Sequence, residues 1–159
     1  MKVVVLGGGS FGTAIANMLA ENGHQSFLWL RDTVRAAEMA ASRENHAYLP
    51  GYRLHDALQI SADLATALQG AAVVFVSVPS KAFRAVVQQI RPLLEPDAIV
   101  VSTAKGIETG PDQRGFWLMS DVLQQELPDY RIAVLSGPNL AAEIMAGQPA
   151  ATLVGSRFR

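Results

Sequence analysis

Apolar runs alternate with helix-period segments along this chain. Residues 2–6 form the valine- and leucine-rich run of a buried strand, and after it Phe11, Ile15, Met18 and Leu19 recur on one helical face until Asn22-Gly23 breaks the pattern. A second strand is predicted over residues 26–30, and Asp32 is placed to cap a helix that reaches residue 41. Residues 42–57 are polar and interrupted by Pro50-Gly51, which reads as a loop. A short strand over 58–61 and a small helix over 63–69 follow. Residues 71–78 are almost wholly apolar, the pattern of a central strand buried on both faces, and Pro79 stops it. Ser80 is expected to cap the next helix, whose inner face carries Phe83, Val86, Val87 and Ile90. Further strands are expected at 98–102, 131–135 and 151–154. Phe116, Met119, Leu123 and Leu127 fall at helical spacing after a loop, and a short helix is expected over 139–146.

That alternation implies a parallel sheet with helices on both faces. The turn after the first strand narrows the choice. Gly7, Gly9 and Gly12 stand at the fixed points of G-x-G-x-x-G, between a strand pattern and an amphipathic helix, which is the layout of a dinucleotide-binding turn. The first glycine allows the tight turn, the second lets the backbone approach a pyrophosphate, and the third lets helix and strand pack closely. Free N–H groups and the helix dipole then favour an anion at the helix start. The expected fold is α/β, a Rossmann-type doubly wound and mainly parallel sheet, as a single domain from Met1 to Arg159.

Composition adds exclusions. Half of the 159 residues are hydrophobic and 17% are charged, the balance of a packed globule, and a net charge of −1 gives no general affinity for nucleic acid or anionic membranes. Cysteine is absent, which removes disulfides and thiolate chemistry and fits a cytoplasmic protein. The opening apolar run is too short for a signal-peptide core, and no segment approaches a membrane span.

In an open parallel sheet, ligands bind beyond the carboxyl ends of the strands, so the residues after each strand are the candidates. Ser10 and Phe11 follow the glycine turn, as phosphate and ring contacts or as a cap and a core residue. Arg31 and Asp32 follow the second strand. An arginine there accommodates a 2′-phosphate and points to NADP, whereas Asp32 keeps NAD open. Val78-Pro79-Ser80 reads chiefly as turn chemistry. Lys105 is one of only three lysines and directly follows a strand, with Gly106 after it, so it can offer charge to a substrate phosphate or a polarised oxygen. Ser136-Gly137-Pro138-Asn139 is either an efficient strand–helix corner or a second anion-friendly helix start. Tyr48 is a candidate to close over the cofactor. His24, His46 and His55 have no metal-ligand spacing, and no metal site is expected.

Seven segments, in order, resemble one family. They are Gly7-Gly8-Gly9-Ser10-Phe11-Gly12-Thr13-Ala14, Asn22-Gly23-His24, Leu28-Trp29, Tyr48-Leu49-Pro50-Gly51, Val78-Pro79-Ser80, Ala104-Lys105-Gly106-Ile107-Glu108 and Ser136-Gly137-Pro138-Asn139-Leu140-Ala141-Ala142-Glu143. Together they resemble the amino-terminal domain of bacterial NAD(P)-dependent glycerol-3-phosphate dehydrogenases. The resemblance implies interconversion of sn-glycerol 3-phosphate and dihydroxyacetone phosphate for glycerolipid synthesis. By matching position it implies that Ser10, Phe11, Arg31 and Ala141 contact NADPH, that Lys105 touches cofactor and substrate, and that Gly137 and Asn139 lie on the substrate side. Asn139 stands where serine or threonine is common, and Phe11 where tryptophan or tyrosine is frequent. The family's proton-accepting lysine belongs to a helical carboxy-terminal domain, which in family register lies beyond Arg159. No catalytic base is therefore expected in this chain, which should bind NADP(H) with negligible turnover alone. A homodimer is the candidate assembly of the full-length protein. Two alternatives remain open at this point: the nucleotide half of another two-domain reductase (β-hydroxyacid dehydrogenase or ketopantoate reductase type), and a stand-alone NAD(P)-binding sensor.

Overall fold

The computed structural model describes residues 1–110 and 115–157. In chain order the elements are β1 (Lys2–Leu6), α1 (Ser10–Glu21), β2 (Gln25–Trp29), α2 (Thr33–Ser42), β3 (Glu44–Asn45), β4 (Leu49–Arg53), β5 (Gln59–Ser61), α3 (Leu64–Leu68), β6 (Val73–Val76), α4 (Ser80–Ile90), β7 (Ile99–Ser102), β8 (Ile107–Thr109), β9 (Phe116–Leu118), α5 (Met119–Glu126), β10 (Arg131–Ser136), α6 (Ala141–Met145) and β11 (Leu153–Ser156). Seven strands form the main sheet in the order β5-β2-β1-β6-β7-β10-β11, parallel throughout except where β11 runs against β10. From β1 the chain builds outward to β2 and β5, then crosses to β6 on the other side. That reversal opens a crevice between β1 and β6, where such sheets bind ligands.

Two apolar layers account for the winding. Side chains of a strand alternate faces, so Val4 and Leu6 join one cluster while Val5 joins the other. The first cluster packs α3, α4 and α5 on the sheet, with Phe83, Val87 and Ile90 of α4 fully buried as their spacing required. The second holds α1 and α2 through Ile15, Ala16, Ala20, Ala36 and Met39. No helix among the described residues is long and apolar enough to cross a membrane.

Several expectations need correction. In α1 the expected face holds at Ile15, which is buried, and at Phe11 and Leu19, which pack on the core, but Met18 is exposed, and the small residues Gly12, Thr13, Ala16 and Ala20 complete the buried side. Residues 42–57 contain the β3–β4 hairpin, in which Pro50 and Gly51 occupy exposed positions of a two-stranded ribbon that tolerates a missing donor. Ser80 is the first residue of α4, and Pro79 holds the cap position without a side-chain bond. Phe116 is an exposed residue of β9, paired with β8 in a second hairpin, and α5 starts only at Met119. The strand expected over 71–78 is confined to Val73–Val76, with Val73 and Phe75 half-buried, and the helix expected over 139–146 is confined to Ala141–Met145. The loop expected before Phe116 includes residues 111–114, which lie outside the described residues. The domain expected to run to Arg159 is described as far as Arg157, and Phe158 and Arg159 lie outside the described residues.

Candidate functional site

A cleft of about 710 Å³ opens at the carboxyl ends of β1, β2, β6 and β7, within the size range of small-molecule and cofactor sites. Its floor is the glycine turn. Gly7 has φ +118°, and a Cβ there would lie 2.4 Å from the Ser77 carbonyl oxygen. A Cβ on Gly12 would lie 2.2 Å from the Gly7 oxygen, so the first turn of α1 rests directly on the strand's end. Gly9 differs, because a Cβ there would meet nothing within 4 Å. Its open side faces the space a pyrophosphate needs. Gly9 is also the N-cap of α1, without a side-chain cap bond, so Ser10 is a helix residue lining the cleft rather than a cap. The uncapped N–H groups are free for an anion. This arrangement fits a bound dinucleotide.

Arg31, Asp32, Arg35 and Tyr48 line the cleft at the end of β2. Asp32 spends Oδ1 on α2, accepting from the backbone N–H groups of Val34 (3.0 Å) and Arg35 (3.1 Å). Arg31 is exposed, with no hydrogen bond or ion pair among the described residues. Trp29, buried at the end of β2, also lines the cleft and donates its indole N–H to the Ala62 carbonyl at 2.9 Å.

Lys105, Asn139 and Ala141 line the cleft from the β7 and β10 side. Lys105 is exposed and unpaired among the described residues; Gly106 beside it takes φ +116°, which turns the chain into β8. Asn139 is buried, and its Oδ1 accepts from the Thr152 hydroxyl at 3.3 Å, leaving the amide N–H groups as its open donors. Gly137 does not line the cleft. A Cβ there would lie 2.5 Å from the Ala151 oxygen, so a glycine at this position lets the chain before β11 pack closely.

Arg84 on α4 holds the Lys105 segment from behind. Its guanidinium donates to both carboxylate oxygens of Glu108 on β8 (2.6–3.1 Å) and to Glu126 and Gln125 on α5, and it lies 5.9 Å from the centroid of the Trp117 ring. The Arg84 hydrogen bond holds the Glu126 carboxyl below its ordinary 4.5. A depressed carboxyl stabilises the fold above its unfolded value and loses that contribution as pH falls through the folded one. Arg84→Met should therefore lower stability at pH 7 by about 1 kcal/mol, the scale of a partly exposed network, and the deficit should shrink below pH 4.5. Urea melts at about pH 7 and about pH 3.5 check this, and a deficit that grows in acid contradicts it.

The family model described as NAD-dependent glycerol-3-phosphate dehydrogenase N-terminus matches residues 2–158. The chain belongs to that family. Glycerol-3-phosphate dehydrogenases [NAD(P)+] of Saccharophagus degradans and Teredinibacter turnerae are 54% and 51% identical to it, across 97% and 98% of this chain but only 42% and 45% of their own lengths. The crystal structure of glycerol-3-phosphate dehydrogenase from Coxiella burnetii superposes with a TM-score of 0.88 at 34% identity, covering 98% of this chain and 46% of that one. The chain thus spans less than half the length of these relatives. A ketopantoate reductase from Ralstonia eutropha superposes at 0.63 with 23% identity, over 86% of this chain and 41% of that one, which is a likeness of fold alone.

For a glycerol-3-phosphate dehydrogenase amino-terminal domain, the largest gap in the sequence reading is the β3–β4 hairpin. Asn45, 3% exposed, donates to the Gly8 carbonyl (3.1 Å) and the Thr13 hydroxyl (2.9 Å), and its Oδ1 accepts from the Tyr48 N–H. It fixes the middle of the glycine turn from outside the motif. Arg35 reaches the same carbonyl. Nothing in local composition separates Asn45 from an ordinary loop asparagine; only its buried partners do.

Proposed function

We propose that this chain is the cofactor grip of a glycerol-3-phosphate dehydrogenase that moves hydride between NADP(H) and the sn-glycerol 3-phosphate/dihydroxyacetone phosphate pair, in glycerolipid synthesis. One observation carries the reading. The uncapped α1 start and the open side of Gly9 share a single cleft with Arg31 at one end and Lys105 and Asn139 at the other. Hydride transfer is the chemistry that the nicotinamide supplies when bound. Gly7 and Gly12 allow the tight turn and the close seat of α1, and the backbone N–H groups at the helix start, with Ser10 and Phe11, face the pyrophosphate across the open side of Gly9. Arg31 pairs with the adenosine 2′-phosphate, and because Asp32 is engaged in capping α2, NADP is preferred over NAD. Ala141 packs on the cofactor, Lys105 faces both cofactor and substrate phosphate, and Asn139 donates on the substrate side. Gly137 serves that side only indirectly, by seating the Asn139 turn. We assign the proton acceptor to the part of the relatives' length that this chain does not span, beyond Arg159 in the family's register. The absence of cysteine is in keeping with a cytoplasmic location.

Trp29 provides the test, since it lines the cleft and its fluorescence should be quenched by a bound nicotinamide nucleotide. Titration with NADPH and NADH should give saturable quenching with NADPH tighter. Arg31→Ala should weaken NADPH about tenfold, the scale of one charge-assisted bond, and NADH less than about twofold. Binding of neither nucleotide overturns the reading. Equal losses remove Arg31 as the discriminating group.

A further inference from the structure

We propose that Arg35 is a second cofactor-discriminating residue, holding the adenosine 2′-phosphate together with Arg31 and aimed at it by Tyr48. This rests on reading the cleft as an NADP site. Arg31 is exposed, so its cation is solvated. Arg35 is half-buried and held in place. Its guanidinium carbon lies 4.8 Å from the centroid of the Tyr48 ring, and Nη2 donates to the Gly8 carbonyl at 3.4 Å.

The position of Gly8 locates the group. A Cβ on Gly8 would lie 2.5 Å from Leu30 Cγ, so Gly8 sits against the end of β2, where sheets of this topology place the adenosine ribose. A cation above that point faces the 2′-oxygen. Nothing competes for it: no carboxylate pairs with Arg35 among the described residues, and Oδ1 of Asp32, the acidic residue lining the cleft, is committed to the α2 N–H groups. A guanidinium has five donors, and only one makes a bond among the described residues. The rest can take two phosphate oxygens in parallel while one face stays on tyrosine.

Arg35 sits in the first turn of α2, where the Asp32 carboxylate at the N-cap offsets the helix dipole. A 2′-phosphate carries nearly two negative charges, and it would meet Arg31 and Arg35 together.

The experiment compares NADPH with NADH, and 2′,5′-ADP with 5′-ADP, on the wild-type chain and on Arg35→Ala, Arg35→Lys and Tyr48→Ala. Melting of each variant without ligand confirms folding. Arg35→Ala should weaken NADPH and 2′,5′-ADP about tenfold and the other pair less than about twofold. Arg35→Lys should recover part of the loss, since it restores charge without the planar fork. Tyr48→Ala should cost NADPH about threefold, and nothing further once Arg35 is alanine, because the two act as one unit. Equal losses on both pairs, or no loss at all, overturn the proposal. A wild-type chain that binds neither dinucleotide would overturn the NADP reading itself.

Discussion

Gly12→Ala should cost the chain both stability and its nucleotide. Alanine normally stabilises a helix interior relative to glycine by up to about 1 kcal/mol, so the default expectation has the opposite sign. Here the new methyl would sit 2.2 Å from the Gly7 carbonyl oxygen, with the Ser77 side chain at 3.1 Å. A backbone oxygen at the end of a buried strand cannot rotate away as a side chain can. Relief must come from lifting α1 off β1, and overpacking of that kind costs about 1–3 kcal/mol. Against a fixed backbone oxygen the upper end of that range applies, about 3 kcal/mol, so after the helix preference of about 1 kcal/mol the net loss is about 2 kcal/mol, or a fall in Tm of about 4–8 °C for a chain of this size. Lifting the helix also withdraws the N–H groups that face the pyrophosphate, so NADPH affinity should drop more than about tenfold. Gly9→Ala is the matching control. Its methyl meets nothing, so Tm should hold while binding falls, because the methyl occupies the ligand's space. A Gly12→Ala protein with native Tm and native affinity would contradict the packing argument.

The other large effect concerns Lys105. In a full-length enzyme that includes this chain, Lys105→Met should lower kcat/KM for the phosphorylated substrate by about 10²–10³, the usual consequence of removing one charged donor from a closed site. Stability should be nearly unchanged, since Lys105 is exposed and makes no bond among the described residues. Arg84→Met separates placement from charge. It loosens the Glu108 attachment behind the segment but leaves the ammonium, so its effect on kcat/KM should be several-fold smaller. Steady-state kinetics with sn-glycerol 3-phosphate decides, and an unchanged Lys105→Met enzyme removes the lysine from the site.

Much of this was legible in the chain because it depends on period and punctuation. The α4 face needed only the spacing of Phe83, Val86, Val87 and Ile90, and the glycine turn needed only its neighbours. Legibility failed where a residue's partner is distant. Met18 and Ala16 both suit a helix face, but strand proximity decides for the smaller one. The β3–β4 hairpin was hidden by Pro50-Gly51, which breaks sheets in general but is tolerated on a short exposed ribbon. Asn45 and Arg35 matter through the Gly8 carbonyl, 37 and 27 positions away in the chain.

The reversal of winding between β1 and β6 has a consequence for how such a protein can change. Arg31, Arg35 and Tyr48, which line one end of the cleft, are encoded before β5 closes its edge of the sheet. Lys105, Asn139 and Ala141 are encoded after β6 has begun the opposite edge. The two ends of the cleft are therefore written in separate stretches of the chain, joined in space at the β1–β6 seam and where α6 packs on α1. Substitutions in the first stretch can change one end of the cleft while the other keeps its residues, and a recombination breakpoint between β5 and β6 must preserve the β1–β6 seam and the α1–α6 packing.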